Sequence, residues 1–381
     1  MLNIKNLALS LSIALSLSIA PYKITLAEEG STVAKQAYMI DFETGQTLFQ
    51  KNATSQMPTS SMSKTLTGLV VFDAIKNGQY SLDDTFLVSE KAWKKGGSKM
   101  FIEVGKQIKI EDLLRGLIIQ SGNDAAICLA EGLAGSEERF ADMLNKKAEE
   151  IGMKNSNFAN ASGWPDPNHY STAKDLALLG RTLIKDHPEH YKMYAEKEFT
   201  FSDIKQGNRN PLLYRNIGAD GIKTGHTDDG GYGIIASAER DDRRVILVLN
   251  GMSSVQERAD ESARLIDWGL RSFENLTLFK AGQTVQQAEV IYGTKVSVPM
   301  VTAHDITFTL PKLDKDDTKA SVTYETPLKA PISKGDKIAE LKVTTPNNKE
   351  YTFPLFAGAD IAEQSFLAKT ISKVTILVTG G

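Results

Sequence analysis

A serine hydroxyl becomes a nucleophile only when a neighbouring base takes its proton, and Ser61 and Lys64 have the spacing for that exchange. Ser61-Met-Ser-Lys64 opens a stretch of helical periodicity, where residues three apart face the same way, one turn apart. A lysine that is desolvated and close to other cations gives up its proton readily enough to serve as the base. The start of a helix also turns backbone N–H groups towards developing negative charge. Spacing alone leaves a solvated helix face open as the alternative, because it recurs at Ser171 and Lys174 and at Ser202 and Lys205. Sixty residues on, Ser121-Gly-Asn123 lies at a helix-to-helix junction. A hydroxyl and an amide projected there can relay a proton and bind a substrate amide, or simply cap the next helix. Lys223-Thr-Gly225 occurs once and opens the first of three consecutive strands. Lys223 offers a fixed positive charge and Gly225 room for a ligand backbone to approach, unless they are a strand-end lysine and a turn glycine.

The elements that must position these residues follow from periodicity and punctuation. Two strand-like runs from Ala37 to Gln50 around Glu43-Thr-Gly45 form a hairpin. Helices are expected over Ser60 to Asn77, Ile110 to Gln120, Asp124 to Leu133, Glu137 to Ile151, Thr172 to Ile184 and Val255 to Phe273. Strands are expected over Gly221 to Thr227, Gly231 to Glu239 and Arg243 to Asn250. From 276 to 358 the texture changes to short alternating segments punctuated by Gly, Pro, Asn and Asp, which reads as a small antiparallel sandwich. The fold class is α/β with helices around an antiparallel sheet, followed by a small all-β domain.

Composition narrows the chemistry. With 44 basic and 47 acidic residues the net charge is −3, which disfavours a nucleic-acid partner held by phosphate neutralisation. The single cysteine, Cys128, forbids an internal disulfide, and with only five histidines it makes a Cys-rich zinc site implausible. Flanked by Ile127 and Leu129, it reads as a buried thiol. Neither a metal nor a cofactor is called for. Lys5, the uncharged run from Leu7 to Ala20 and Thr25-Leu-Ala27 read as an export leader, residues 1–27. The fourteen-residue run spans about 21 Å as a helix, short of a bilayer core of roughly 30 Å. Removing the leader takes Lys5 and Lys23 and no acid, leaving −5.

Ser-x-x-Lys, Ser-Asp-Asn and Lys-Thr-Gly in this order are the signature of penicillin-binding proteins and class A β-lactamases. Gly122 stands where that pattern has Asp. With this departure and His226-Thr227 after the third motif, the chain resembles the low-molecular-mass penicillin-binding proteins, the serine D-alanyl-D-alanine carboxypeptidases. The resemblance extends to Pro58–Lys64, Ser121–Ala125, Gly163–Asp166, Asn208–Asn210 and Asp220–Asp228, and is strong over about 35–275.

The resemblance implies removal of the terminal D-alanine from peptidoglycan stem peptides through an acyl-enzyme, with β-lactams as inhibitors. Ser61 would be the nucleophile, Lys64 the base, Ser121 the proton relay, Asn123 a holder of the substrate amide, and Lys223 part of the charged network. Thr224 would contact the substrate carboxylate, the N–H groups of Ser61 and His226 would form the oxyanion hole, and Arg209 and Arg258 would bind or organise the carboxylate end. The domains would be 28–275 catalytic, 276–358 sandwich and 359–381 a tail. In this family such a tail lies as an amphipathic helix on the outer face of the inner membrane, and Leu367, Ile371, Val374 and Val378 fall on one stripe. A β-lactamase or esterase on the same fold and a non-catalytic penicillin-binding module are the alternatives. A class A lactamase needs a glutamate to activate water, and 160–171 holds only Asp166.

Overall fold

The structure is a computed structural model that describes residues 30–314, 318–345 and 350–370; the expected leader, 1–27, lies outside them. The chain opens with the hairpin β1 (Gln36–Asp41) and β2 (Thr47–Lys51), then a single 3-10 turn, Ser60–Ser63, that runs directly into α1 (Lys64–Lys76). Next come β3 (Thr85–Leu87), α2 (Glu90–Lys94), β4 (Gln107–Lys109), α3 (Ile110–Ile118), α4 (Asn123–Ala134) and α5 (Glu137–Glu150). After these come α6 (Ala173–Asp186), α7 (Pro188–Tyr191) and a second hairpin, β5 (Glu198–Phe201) and β6 (Ile204–Gly207). Three long strands, β7 (Ala219–Thr227), β8 (Gly231–Arg240) and β9 (Arg243–Met252), lead to α8 (Val255–Ser272). Eight strands finish the described chain: β10 (Phe273–Phe279), β11 (Thr284–Ile291), β12 (Ser297–Val301), β13 (Ile306–Pro311), β14 (Lys319–Thr323), β15 (Leu328–Lys329), β16 (Lys337–Thr344) and β17 (Glu350–Ala357).

The central sheet runs β2-β1-β9-β8-β7, all neighbours antiparallel. Its strands alternate between two cores with a period of two, as side chains on a pleated strand must. Ile235, Ile246 and Val248 face a cluster with α1 and α6, while Ile234, Ala236, Leu247 and Leu249 face another with Leu265, Ile266 and Leu270 of α8. Caps fix where the flanking helices begin. Thr172 Oγ1 accepts from Asp175 N at 3.1 Å at the start of α6, and Ser254 Oγ from Glu257 N at 3.0 Å at the start of α8.

Helix α1 is buried on nearly every side, from Lys64 through Phe72, which is why its apolar stripe is weak in the sequence. It threads the middle of the helical layer, so its first turn is held by everything around it. Strand β7 begins at Ala219, two residues earlier than the sequence suggested, and Lys223 sits in mid-strand instead of at its start. Strands 198–201 and 204–207, 85–87 and 107–109 were not foreseen; they are short, and their side chains are largely exposed.

In the C-terminal part, β14-β16-β17-β12-β11-β15 form a six-stranded sheet and β10 pairs with β13. Its core, from Ala288 to Ile361, is separate from the two cores of the central sheet. Strand β10 follows α8 without a linker, so 273–275 already pair with β13. The two parts meet through Asn275 Nδ2, which donates to Asp41 Oδ1 at 3.2 Å, and through Thr44 and Thr309, whose hydroxyls are 2.6 Å apart.

Candidate active site

The Ser60–Ser63 turn delivers Ser61 and Lys64 to the base of a cleft of about 280 Å³, lined by Ser61, Ser98, Asn123, Trp164, His226 and Asp228 among others. Lys64 Nζ lies 2.9 Å from Ser61 Oγ, and donates to Asn123 Oδ1 at 2.8 Å and to the Ser162 carbonyl at 2.6 Å. The side chain is 1% exposed. Burial, reinforced by Arg209 and Lys95 and opposed by Asp124, brings its pKa down to about 7. A neutral amine is then well populated at neutral pH, within hydrogen-bond reach of the Ser61 hydroxyl.

Asn123 completes this arrangement from the first turn of α4. Its Nδ2 donates to Gly96 O at 2.8 Å, which ties the 96–102 loop to the cleft. The cap of α4 is Gly122, and no side chain caps the helix, so neither Ser121 nor Asn123 is there as an N-cap. Ser121 adopts a left-handed backbone, φ 63°, and its buried Oγ has no hydrogen-bond partner. A strained serine with a buried hydroxyl that has no partner is an unusual feature at a helix junction, and it does not serve as a helix cap. Asp124 was not singled out in the sequence. Its buried carboxylate accepts from the backbone N–H groups of Met100, Phe101 and Ile102, pinning the loop that Asn123 also grips.

Strand β7 forms the opposite wall. Lys223 and Thr224 are buried, and Lys223 Nζ donates to Thr224 O at 3.2 Å. Burial lowers the Lys223 pKa well below its ordinary value, and the cations Lys64, Arg209 and Arg258 lower it further. No hydrogen bond joins Lys223 or Ser121 to the Ser61–Lys64–Asn123 set; Lys223 is close enough for the Lys64 charge to act on it. Gly225 also makes a close approach within the protein. A Cβ there would lie 2.9 Å from Thr59 O and 3.1 Å from Ser60 Cβ, so what approaches the glycine is the turn bearing Ser61. That contact places His226, the next residue, on the cleft beside the serine. Its ring packs against Tyr232 with centroids 4.0 Å apart.

The two arginines arrive from different elements. Arg209 follows β6 and donates from Nη1 to Ser98 Oγ at 2.6 Å across the cleft rim. Arg258 is buried in the first turns of α8, with its guanidinium 5.7 Å from the Tyr232 ring and its Nε unpartnered. Burial brings its pKa down to about 10, with Tyr232 opposing and Arg209 reinforcing the shift. Lys223, Arg209 and Arg258 thus form a concentration of positive charge suited to an anionic group. Cys128 is buried in α4 with its pKa pushed up to about 12, chiefly by burial, which leaves it inert.

The other wall of the cleft is the 152–171 loop. Gly163, at φ +75°, passes beneath the catalytic turn so tightly that a Cβ would lie 1.8 Å from Ser60 O. Ser60 itself is left-handed, at φ 50°. Ser162, Gly163 and His169 act on the turn through a carbonyl, a missing Cβ and a buried ring, none of which leaves a sequence signature on its own.

The sequence matches the D-alanyl-D-alanine carboxypeptidase family over residues 23–254 and the penicillin-binding protein 5 C-terminal domain over 273–363. It is 36% identical over 355 residues to the D-alanyl-D-alanine carboxypeptidase DacA of Haemophilus influenzae, covering 91% of this chain and 90% of the relative. The structure resembles penicillin binding protein 5 from Haemophilus influenzae, with a TM-score of 0.80, 36% identity, and 87% of this chain and 98% of the other covered. It also resembles the ampicillin-bound form of penicillin-binding protein D2 from Listeria monocytogenes, with a TM-score of 0.58, 31% identity, and 63% and 98% covered. The serine within reach of a buried lysine, the nearby cluster of cations and the β-domain that follows have one common setting: the chain belongs to the D-alanyl-D-alanine carboxypeptidase family of serine peptidases.

Proposed function

We propose that Ser61 carries the acyl group when this protein removes the terminal D-alanine from peptidoglycan stem pentapeptides. The observation that supports this most directly is Lys64 Nζ at 2.9 Å from Ser61 Oγ with its pKa brought down to about 7. In the first step Ser61 Oγ bonds to the carbonyl carbon of the penultimate D-alanine while its proton passes to Lys64. The displaced electron pair rests on the carbonyl oxygen, held by the backbone N–H groups of Ser61 and His226, a device worth a few kcal/mol. Collapse breaks the C–N bond, and the leaving amine takes its proton from Lys64 through the Ser121 hydroxyl. Water, deprotonated by Lys64, then adds to the ester carbonyl; collapse breaks the C–Oγ bond, Ser61 Oγ takes the proton back from Lys64, and a stem shortened by one residue leaves.

Substrate orientation follows from charge. The free terminal carboxylate lies towards Thr224, Lys223, Arg209 and Arg258, and this is what separates a terminal peptide bond from an internal one. Asn123 spends one Nδ2 proton on Gly96 O and keeps the other for the substrate amide. A hollow of about 440 Å³ adjoins the cleft, sharing Gly163, Trp164 and Thr227 with it, and gives room for the rest of the stem. Penicillin acylates the same serine and leaves slowly. Asp166, the one acid of the 160–171 loop, is exposed and accepts from Asn168 N at 2.7 Å, so it is engaged at the surface instead of activating water.

The reaction belongs outside the cytoplasm, in the periplasm, with residues 1–27 as leader. The sandwich, 276–358, holds the catalytic domain, 28–275, away from a membrane surface that the tail touches. Phe366 and Leu367, 84% and 76% exposed, support a surface contact; Ile371, Val374 and Val378 of the expected stripe lie outside the described residues. Among the described residues no helix is long and apolar enough to cross a membrane.

Purified protein is tested with a tripeptide ending in D-Ala-D-Ala and with a fluorescent penicillin. D-alanine release and covalent labelling are expected, and both are lost in Ser61→Ala. Rapid penicillin turnover without D-alanine release would make the protein a lactamase, and labelling without either turnover a non-catalytic module.

A further inference from the structure

The turn that carries Ser61 is held from behind by a chain of buried polar groups that belongs to neither the serine nor the lysine. His169, 5% exposed, closes the 152–171 loop and packs edge-on against Phe158 with ring centroids 5.4 Å apart. Its Nδ1 accepts from Ala159 N at 3.2 Å, which leaves the proton on Nε2. That Nε2 donates to Ser63 Oγ at 2.7 Å, and the Ser63 hydroxyl hydrogen-bonds to Thr59 Oγ1. Ser63 and Thr59 are fully buried and bracket the Ser60–Ser63 turn, and Thr59 O accepts from Met62 N at 3.1 Å inside it.

Ser63 lies behind the turn, while Thr59 and His169 also line the hollow of about 440 Å³ beside the cleft. The cleft side is set by Lys64, and the strand side by Ser60 Oγ, which donates to Thr227 Oγ1 at 3.1 Å. Ser60 is left-handed and its carbonyl rests on Gly163, so the turn occupies a conformation that its own sequence does not favour. A strained turn with a reacting hydroxyl at its second residue keeps its geometry only if its ends are fixed. Burial brings the His169 pKa down to about 4, against a small opposing pull from Asp166 and with Lys64 reinforcing it, so the ring is neutral under working conditions.

We propose that His169, through Ser63 and Thr59, is a positioning residue for the acylation step: it holds the Ser61 hydroxyl and N–H in line with Lys64 and His226. This rests on Ser61 being the nucleophile. Ser63 lines neither the cleft nor the hollow, and a ring kept at 169 preserves the hollow's wall, so breaking the chain shows in the rate of the chemical step and not in substrate binding. His169→Phe keeps the ring packed on Phe158 and removes the donor. His169→Gln keeps an N–H within reach of Ser63. Ser63→Ala removes only the link.

The full-length variants are compared by the second-order rate constant for acylation by a fluorescent penicillin, and by kcat and KM on a D-Ala-D-Ala peptide. His169→Phe and Ser63→Ala are each expected to slow acylation about tenfold, by lowering kcat with KM within twofold of the parent. The double variant is expected to be no slower than the slower single one, since both break one chain. His169→Gln is expected to stay within threefold of the parent. Acylation within twofold of the parent in a folded His169→Phe or in Ser63→Ala overturns the proposal, as does a loss confined to KM or a His169→Gln as slow as His169→Phe. If His169→Phe fails to fold, Ser63→Ala decides alone. Labelling that survives in Ser61→Ala overturns the nucleophile assignment beneath it, and that is scored separately.

Discussion

At an ordinary pKa of about 10.4 a lysine amine is almost wholly protonated at neutral pH and is useless as a base. Lys64 escapes this by being buried among Ser61, Asn123 and Ser162, with cations nearby. The fraction of neutral amine falls tenfold for each pH unit below about 7, so kcat/KM on a D-Ala-D-Ala peptide is expected to fall with it, on an acid limb that inflects near pH 7. The same shift has a cost. Between about 7 and the unfolded value the unfolded chain binds more protons than the folded one, so this group's destabilisation is full below pH 7 and shrinks as pH rises. Activity should therefore climb up to about pH 7 and level off above it, while the Lys64 contribution to thermal stability improves from there upward; an acid limb near pH 5 would assign the base to another group. The residues proposed to react were legible because three motifs in order carry their side-chain chemistry. Asp124, Ser162 and His169 were not, because they work on backbone groups and on other hydroxyls, and any loop could contain them.

The elements divide in the same way. Long helices and strands with caps and clear periodicity, such as α5, α6, β8 and β9, lie within a few residues of where the sequence set them. The hairpin β5–β6 was missed because each strand is only four residues long: Phe199 and Phe201 alternate with exposed residues over too short a run, and β6 is mostly exposed. The role of Gly225 could not be foreseen either, because glycine signals that something comes close without saying what. Gly163 shows how an element far along the chain shapes the nucleophile. Gly163→Ala would need the left-handed φ of +75° and would drive its methyl into Ser60 O. A loss of at least about 2 kcal/mol in unfolding free energy is expected. Penicillin labelling of the remaining folded protein is expected to fall by an order of magnitude or more. Wild-type labelling in Gly163→Ala would mean that the Ser60 turn tolerates displacement.

At the scale of the molecule, separate cores joined by a few contacts predict separable parts. The apolar cluster of 288–361 shares no residue with the two clusters flanking the central sheet. Contacts between the two parts include Asn275 to Asp41, Thr44 to Thr309, Gln46 to Thr309 N, Arg243 to Phe273 O and the rings of Trp268 and Phe273. A chain ending at Ser272 is therefore expected to be labelled by penicillin at a rate within about threefold of the full protein, while melting a few degrees lower. A truncated chain that folds but is not labelled would show that the β-domain shapes the cleft. The buried thiol in the middle of α4 has a practical consequence. Cys128 is fully buried and held far from the thiolate form. A cysteine introduced on the surface would then be the sole reactive sulfur in the protein. Placed at Trp164, 42% exposed on the cleft wall, it would accept one environment-sensitive dye, and substrate arrival could be followed as an optical signal before any bond is broken.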